Sequence, residues 1–234
     1  MIAPAHSLTQ RDDAFLLTFV DDTEEAPWMV ATDRHRAAID AFFIPLHYYA
    51  SRVHPEWYVS SELFIRFARP DGTTGQVAPD TFVVRARRQS RRSFDLRRTR
   101  VAPLFVLEVV SPESKSRDEQ EKVRLYDWLG VQEYAIFDPN ATEQHRLKGH
   151  HRDAHGDWAP WPVGRRGDLQ SAVLGLTLVP EGRLLRLEDA EGQRLRTAPE
   201  EARAREAAEA ARRKAESRLA AVEAELAQLR QSQA

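Results

Sequence analysis

Residues 101–138 constrain the fold of this chain more than any other stretch. VAPLFVLEVVS (101–111) is nearly all apolar, as expected of a central strand covered on both faces. A helical pattern follows. Val123, Leu125, Tyr126, Trp128 and Leu129 supply its apolar face, and Gly130 can end it. Ser116 with Glu119 fits a capping box at its start. EYAIFDP (133–139) then reads as a second strand, closed by Pro139. Strand, helix and strand in so short a span form one compact crossover, so the two strands must run parallel. The run predicts an α/β fold with a central mixed β-sheet flanked by helices.

Other stretches fill out the core. From a cap at Thr32 or Asp33, the residues Ala38, Ile39, Phe42, Phe43, Leu46 and Tyr49 follow helical spacing, with Pro45 as a kink or interruption. WYVSSELFIRFA (57–68) reads as a strand, Asp71-Gly72 as a turn, and VAPDTFVV (77–84) as the next strand. LLTFV (16–20) reads as a short strand within a polar, acidic stretch (Asp21, Asp22, Glu24, Glu25) that is loosely ordered at its start. The segment 85–100 is a basic loop with eight arginines against one acid, Asp95. The region 145–187 alternates short polar and apolar runs around Gly149, Gly156, Gly164 and Gly175, and reads as further strands or hairpins.

The tail from about Pro199 is rich in Ala, Glu and Arg and reads as one long helix. Leu219, Val222, Leu226 and Leu229 are spaced three, four and three apart, which is heptad spacing. Upstream the seam is alanine (Ala204, Ala208, Ala211, Ala215) and joins the leucine seam through a stutter. The expected organisation is an N-terminal extension (1–28), an α/β domain (29–197) and a helical, coiled-coil tail (198–234) that favours a homo-oligomer, a dimer.

Composition narrows the chemistry. The net charge of −2 predicts no partner by itself, and the lack of cysteine excludes disulfides and thiolate metal sites. MIAPAHSLTQRDD lacks the pattern of a signal peptide, and no apolar run approaches the roughly 20 residues of a membrane span. A cytoplasmic protein without membrane partners is the expectation.

Two carboxylates stand out within that frame: Asp80 in QVAPDTFVV and Glu108 in LFVLEVVSP. Burying a charge is costly unless it is paired or binds a metal. Two acids brought together on adjacent strands repel, and a divalent cation relieves the repulsion. Oxygen ligands of this kind suit Mg2+ or Mn2+, with the Val109 carbonyl as a natural third ligand. Lys122, on the following helix, can complete an acid–acid–base set. Each residue also has a plainer reading. Asp80 can make a turn hydrogen bond after Pro79, Glu108 can pair with an arginine, and Lys122 can be an exposed helix lysine paired with Asp118.

Pro79-Asp80, VLEVVSPES (106–114), RDEQEK (117–122) and LYDWLGVQEYAIFDP (125–139), in this order and spacing, resemble the Uma-two-type restriction endonucleases of the PD-(D/E)xK nuclease superfamily. The resemblance covers roughly residues 29–179. It implies a restriction-endonuclease-like core, metal-dependent phosphodiester cleavage, DNA as partner, and a site of Asp80, Glu108 and a lysine. The superfamily lysine two positions after the second acid is Val110 here. The Uma-type group resembles this chain in carrying a lysine on the following helix, which maps to Lys122. An acid on the first helix is met by neither Asp33 nor Asp40 convincingly, and Glu62 is another candidate.

Two readings follow: a Mg2+- or Mn2+-dependent endonuclease, or a catalytically degenerate module that binds nucleic acid or a protein and oligomerises through its tail. Arg87, Arg88, Arg91 and Arg92 are candidate phosphate contacts, with a solvated loop as the alternative. His145, His150, His151 and His155 show no zinc spacing and read as surface hairpin residues, and His35 and His47 as ordinary helix residues. Trp158 and Trp161 read as packing under the hairpins.

Overall fold

The computed structural model of the chain describes residues 13–23 and 32–232. Glu24 and Glu25 lie outside the described residues, as do the side chains of Leu226 and Leu229. The chain divides into two compact units, Met1–Leu195 and Arg196–Ala234. No helix among the described residues is long and apolar enough to cross a membrane.

In chain order the first unit carries α1 (Asp13–Thr18), α2 (Asp33–Val53), β1 (Trp57–Ser60), β2 (Ile65–Ala68), β3 (Thr74–Val77), β4 (Thr81–Arg85) and β5 (Phe94–Asp95). It continues with α3 (Leu96–Thr99), β6 (Phe105–Val109), α4 (Lys122–Trp128), β7 (Glu133–Phe137), β8 (Leu147–Arg152), β9 (Trp158–Pro160), β10 (Leu169–Ser171), β11 (Leu176–Glu181) and β12 (Leu184–Glu188). The central sheet has the order β1-β4-β6-β7-β8-β9. β6 and β7 are parallel, as the crossover requires, and the other neighbours in that sheet are antiparallel. Two three-stranded sheets accompany it, β3-β2-β5 and β10-β11-β12. The second unit is the helix α5 (Ala198–Ser232).

Strand alternation sorts the core into two layers. Trp57, Val59, Val83, Phe105, Leu107, Val109, Ala135 and Phe137 pack with Ile39, Phe42 and Leu46 of α2 and with Leu178, Leu185 and Leu187. Phe82, Val84, Val106, Val110, Tyr134 and Ile136 pack with Leu125 and Tyr126 of α4, Ile65 and Phe67 of β2, and Leu16 and Phe19. Glu108 has the parity of Val106 and Val110. Its side chain therefore enters the second layer, the one that α4 covers.

Local expectations need correction in several places. LLTFV is not a strand. Leu16 belongs to α1, and Leu16 and Phe19 are buried three residues apart, a helical rather than a strand spacing. Thr32 caps α2 by accepting the His35 N–H, and Pro45 sits inside the helix without ending it. The stretch 57–68 is two strands in different sheets. Between them Glu62 has a φ of 51°, and its N–H donates to the Pro79 carbonyl at 3.1 Å. The stretch 77–84 is also divided, because Pro79 has no N–H and the Ala78 N–H goes to Asp22 Oδ2 at 2.8 Å rather than to a ladder. The basic loop contains β5 and α3, with Asp95 as the N-cap of α3.

The capping box at Ser116 and Glu119 does not form, since Ser116 is already helical. Ser111 and Ser114 instead exchange N–H to Oγ hydrogen bonds at 3.0 and 3.1 Å one turn earlier. Residues Arg117–Glu121 form a π-helical turn, in which the Lys122 N–H reaches the Arg117 carbonyl. Arg117 ion-pairs with Asp22 at 2.6 Å, and Asp22 is fully buried. This pair ties the N-terminal segment to the π turn. Asp22→Ala removes the buried carboxylate opposite a buried guanidinium and is expected to cost about 3–5 kcal/mol. Urea unfolding checks this, and a loss under about 1 kcal/mol would contradict it.

Candidate active site

Asp80 immediately precedes β4, and Glu108 lies within β6. The antiparallel register pairs Thr81 with Leu107 and Phe82 with Val106, so its next step sets Asp80 opposite Glu108. Both side chains share the parity of Phe82 and Val106, the face beneath α4. Asp80 is anchored from several sides. Its Oδ2 accepts the Val109 N–H at 2.6 Å, and its backbone carbonyl accepts the Ser61 hydroxyl at 2.6 Å. The Val109 carbonyl leaves the strand on the same side as its N–H, which is the side of Asp80. The turn-type hydrogen bond expected of Asp80 is thus replaced by a bond to the neighbouring strand.

Glu108 is 2% exposed. Its Oε1 accepts the Tyr126 hydroxyl at 2.5 Å and lies 2.9 Å from Lys122 Nζ. Lys122 Nζ is also 3.0 Å from Asp118 Oδ1, and Asp118 Oδ2 accepts the Ser114 hydroxyl at 2.6 Å. Asp118, Lys122 and Tyr126 recur every four residues and so form one stripe facing Glu108. The partner of Glu108 is therefore Lys122, not an arginine. Lys122 is 3% exposed, and the exposed-lysine reading does not hold. Val110 packs in the apolar layer where the superfamily lysine would stand.

One buried ammonium serves two buried carboxylates with Asp80 beside them. Burial pushes the Glu108 carboxyl well above its usual range; Lys122 opposes the shift, and Asp118 and Asp80 reinforce it. Asp118 is raised for the same first cause, burial. Burial disfavours the Lys122 ammonium, yet Asp118 and Glu108 outweigh it and carry its pKa upward. The cluster has an excess of acid over base, the electrostatic condition that a divalent cation satisfies. Tyr126 and Lys122 both meet Oε1 of Glu108, and the Val109 N–H and His35 both meet Oδ2 of Asp80. The second oxygen of each carboxylate lies outside those contacts. Oxygen donors from Asp80, Glu108 and the Val109 carbonyl fit Mg2+ or Mn2+. Among the described residues no group of three or more His, Cys, Asp or Glu side chains forms a ready metal cluster.

Two further residues belong to this neighbourhood. Tyr126 has the spacing of the apolar face, yet it also stands four residues after Lys122 and eight after Asp118, the signal in the sequence for its place here. His35, in the first turn of α2, lies 3.5 Å from Asp80 Oδ2, and its buried Nε2 makes no closer bond among the described residues. Burial disfavours the imidazolium, but the Asp80 hydrogen bond and charge, with Glu62 and Asp118, raise its pKa overall. Glu62 pairs with Arg36 of α2. Among the described residues, neither Asp33 nor Asp40 makes a hydrogen bond or ion pair with the cluster.

The candidate phosphate contacts diverge. Arg87 and Arg92 are exposed. Arg88 turns inward and donates to the Trp57 and His54 carbonyls at 2.9 and 3.2 Å. Arg91 stacks on Tyr58 and Phe94. His150 and His151 stack on Trp158 and Trp161 at one edge of the central sheet.

A carboxyl whose folded pKa is raised stabilises the fold below its unfolded pKa and loses that contribution as pH rises through the folded pKa. Glu108→Gln removes this penalty. Its unfolding free energy relative to wild type is expected to shift in the variant's favour as pH rises above the ordinary glutamate range. A difference independent of pH in chemical unfolding would contradict the assignment.

Comparison with known proteins bears on this cluster. No curated protein matches the chain. Among solved structures, "a putative nuclease belonging to DUF820" from Anabaena variabilis is similar over 56% of this chain and 69% of that chain, with 16% identity and a TM-score of 0.40. The family model Uma2, described as "Putative restriction endonuclease", matches residues 20–205 and takes in Asp80, Glu108 and Lys122. That match spans well over half of the chain, which therefore belongs to the Uma2 family.

Proposed function

We propose that the protein is a divalent-metal-dependent DNA endonuclease acting at Asp80, Glu108 and Lys122. The observation that carries this reading is the meeting of Asp80 and Glu108 on adjacent strands, with Lys122 buried against Glu108 from α4. A Mg2+ or Mn2+ ion held by Asp80, Glu108 and the Val109 carbonyl would polarise a phosphodiester and make its bound water a stronger nucleophile. Asp80 is pre-set for ligation by the Val109 N–H, which fixes its carboxylate without a long-range rearrangement. Lys122 and the Tyr126 hydroxyl hold Glu108 from the other side. The positive charge of the Lys122 ammonium would also stabilise developing phosphorane charge. Asp118 orients that ammonium through Oδ1.

DNA is the substrate in this reading, with Arg87 and Arg92 available to its backbone and Arg88 and Arg91 shaping the loop. A dimer formed through α5 is part of it as well. Leu219 and Val222 are 60% and 52% exposed on α5, an apolar seam that a second copy would cover. One observation favours a second reading, a degenerate module: Val110 occupies the position of the strand lysine. Calorimetry with Mg2+ and Mn2+ separates the two, because a degenerate site shows no affinity dependent on Asp80 and Glu108.

Plasmid incubated with the protein and Mg2+ or Mn2+ is expected to be cleaved. Asp80→Asn, Glu108→Gln and Lys122→Met should each lower the rate by about 100-fold or more. Cleavage that survives the two acid substitutions unchanged would refute the assignment. Deleting the residues after Pro199 is expected to lower the number of copies per particle, read as light-scattering mass divided by the mass of the truncated chain. An unchanged number of copies would remove the tail from the assembly.

A further inference from the structure

A second constellation is built from β2, β5 and α3. Arg66, Arg91, Arg97 and Arg98 line one open cavity of about 620 Å3, together with Ser93 and Asp95. Asp95 is the acid in that lining, and it is already taken. Its Oδ1 accepts the Arg97 N–H and Nε at 3.0 and 2.9 Å, and its Oδ2 accepts Arg97 Nη2 at 2.7 Å. Arg97 is thereby neutralised. Arg66, Arg91 and Arg98 have no carboxylate within ion-pair distance among the described residues.

Arg91 is fixed without being neutralised. Its guanidinium lies 5.2 Å over the Tyr58 ring and 5.3 Å over the Phe94 ring, and Nη2 donates to the Arg87 carbonyl at 3.1 Å. Its Nε is buried and has no hydrogen-bond partner among the described residues. Aromatic stacking orders the cation and leaves a donor to be satisfied. Four guanidinia line the concavity against the single carboxylate of Asp95, which Arg97 holds and Arg98 also feels, so the wall carries an excess of positive charge that an anion with several oxygens would balance. The planar fork of arginine donors matches the oxygens of a phosphate ester. Ser93 adds a hydroxyl to the wall.

We propose that this cavity is a phosphate-ester site, and that it seats a backbone phosphate of the nucleic acid cut at Asp80 and Glu108. The first half stands on the arginine geometry alone; the second rests on the nuclease reading. Arg91 is the ordered anchor, and Arg66 and Arg98 are the exposed arms that close on the anion.

The test uses the full chain with Arg66→Gln and Arg98→Gln combined. Both residues are exposed and neither side chain makes a hydrogen bond among the described residues, so the variant should melt as wild type does. Binding of a fluorescent DNA duplex is read by anisotropy in chelator, where no cleavage occurs. The affinity is expected to fall roughly tenfold or more, and the slope of log K against log salt to shrink by about 0.9, for one lost phosphate contact. Calorimetry with inorganic phosphate and with a mononucleotide forms the second arm, and the double variant should lose the binding seen in wild type. Wild type that binds phosphate through Arg66 and Arg98 but ignores DNA supports the anion site and overturns its nucleic-acid role. Wild type that cleaves DNA, with a double variant unchanged in affinity, salt slope and phosphate binding, overturns the site and leaves the nuclease reading intact.

Discussion

One buried ammonium shared between two buried carboxylates organises this protein. Lys122 lies within 3.0 Å of both Glu108 and Asp118, and all three are nearly inaccessible. Such a set is costly to bury and does not stabilise a fold by its charges alone. Its geometry depends on a strand that points Glu108 at the helix and on a helix that returns Lys122 to it. The parallel β6–α4–β7 crossover supplies both. Its π turn brings Arg117, Asp118 and Lys122 all to the buried side, a distortion of the kind that recurs at functional sites.

The N-terminal segment is part of the same construction. Asp22 binds Arg117 on the π turn and, through its other oxygen, the Ala78 N–H two residues before Asp80. Glu62, in a left-handed conformation, holds the Pro79 carbonyl from the far side. The short connection 78–80 is therefore clamped by backbone hydrogen bonds on either side of its proline. Asp80 leaves that clamp already bonded to β6. Rigid support of this kind is what a metal-binding or catalytic pair requires.

Much of this was legible in the residues. The apolar run around Glu108, the helical spacing after it and the strand at 133–137 compel a parallel crossover, and Asp80, Glu108 and Lys122 fall in it or beside it. What escaped was long-range. LLTFV has strand-like composition, yet Leu16 and Phe19 are buried at helical spacing under a layer that only tertiary packing creates. The strands at 57–68 and 77–84 looked continuous because nothing local announced that Glu62 would adopt positive φ, or that Asp22 would take the Ala78 N–H from 56 positions away. His35 read as an ordinary helix residue because its partner, Asp80, lies in another element. Tyr126 was hidden by its own amphipathic character, since its ring packs in the core while its hydroxyl meets Glu108.

Crystals soaked in Mn2+ and measured for its anomalous signal test the proposed divalent-cation centre at Asp80 and Glu108. A peak is expected in contact with the Asp80 and Glu108 carboxylates and the Val109 carbonyl, with Lys122 still on Glu108. An absent peak, or one bound elsewhere with these carboxylates untouched, would contradict it.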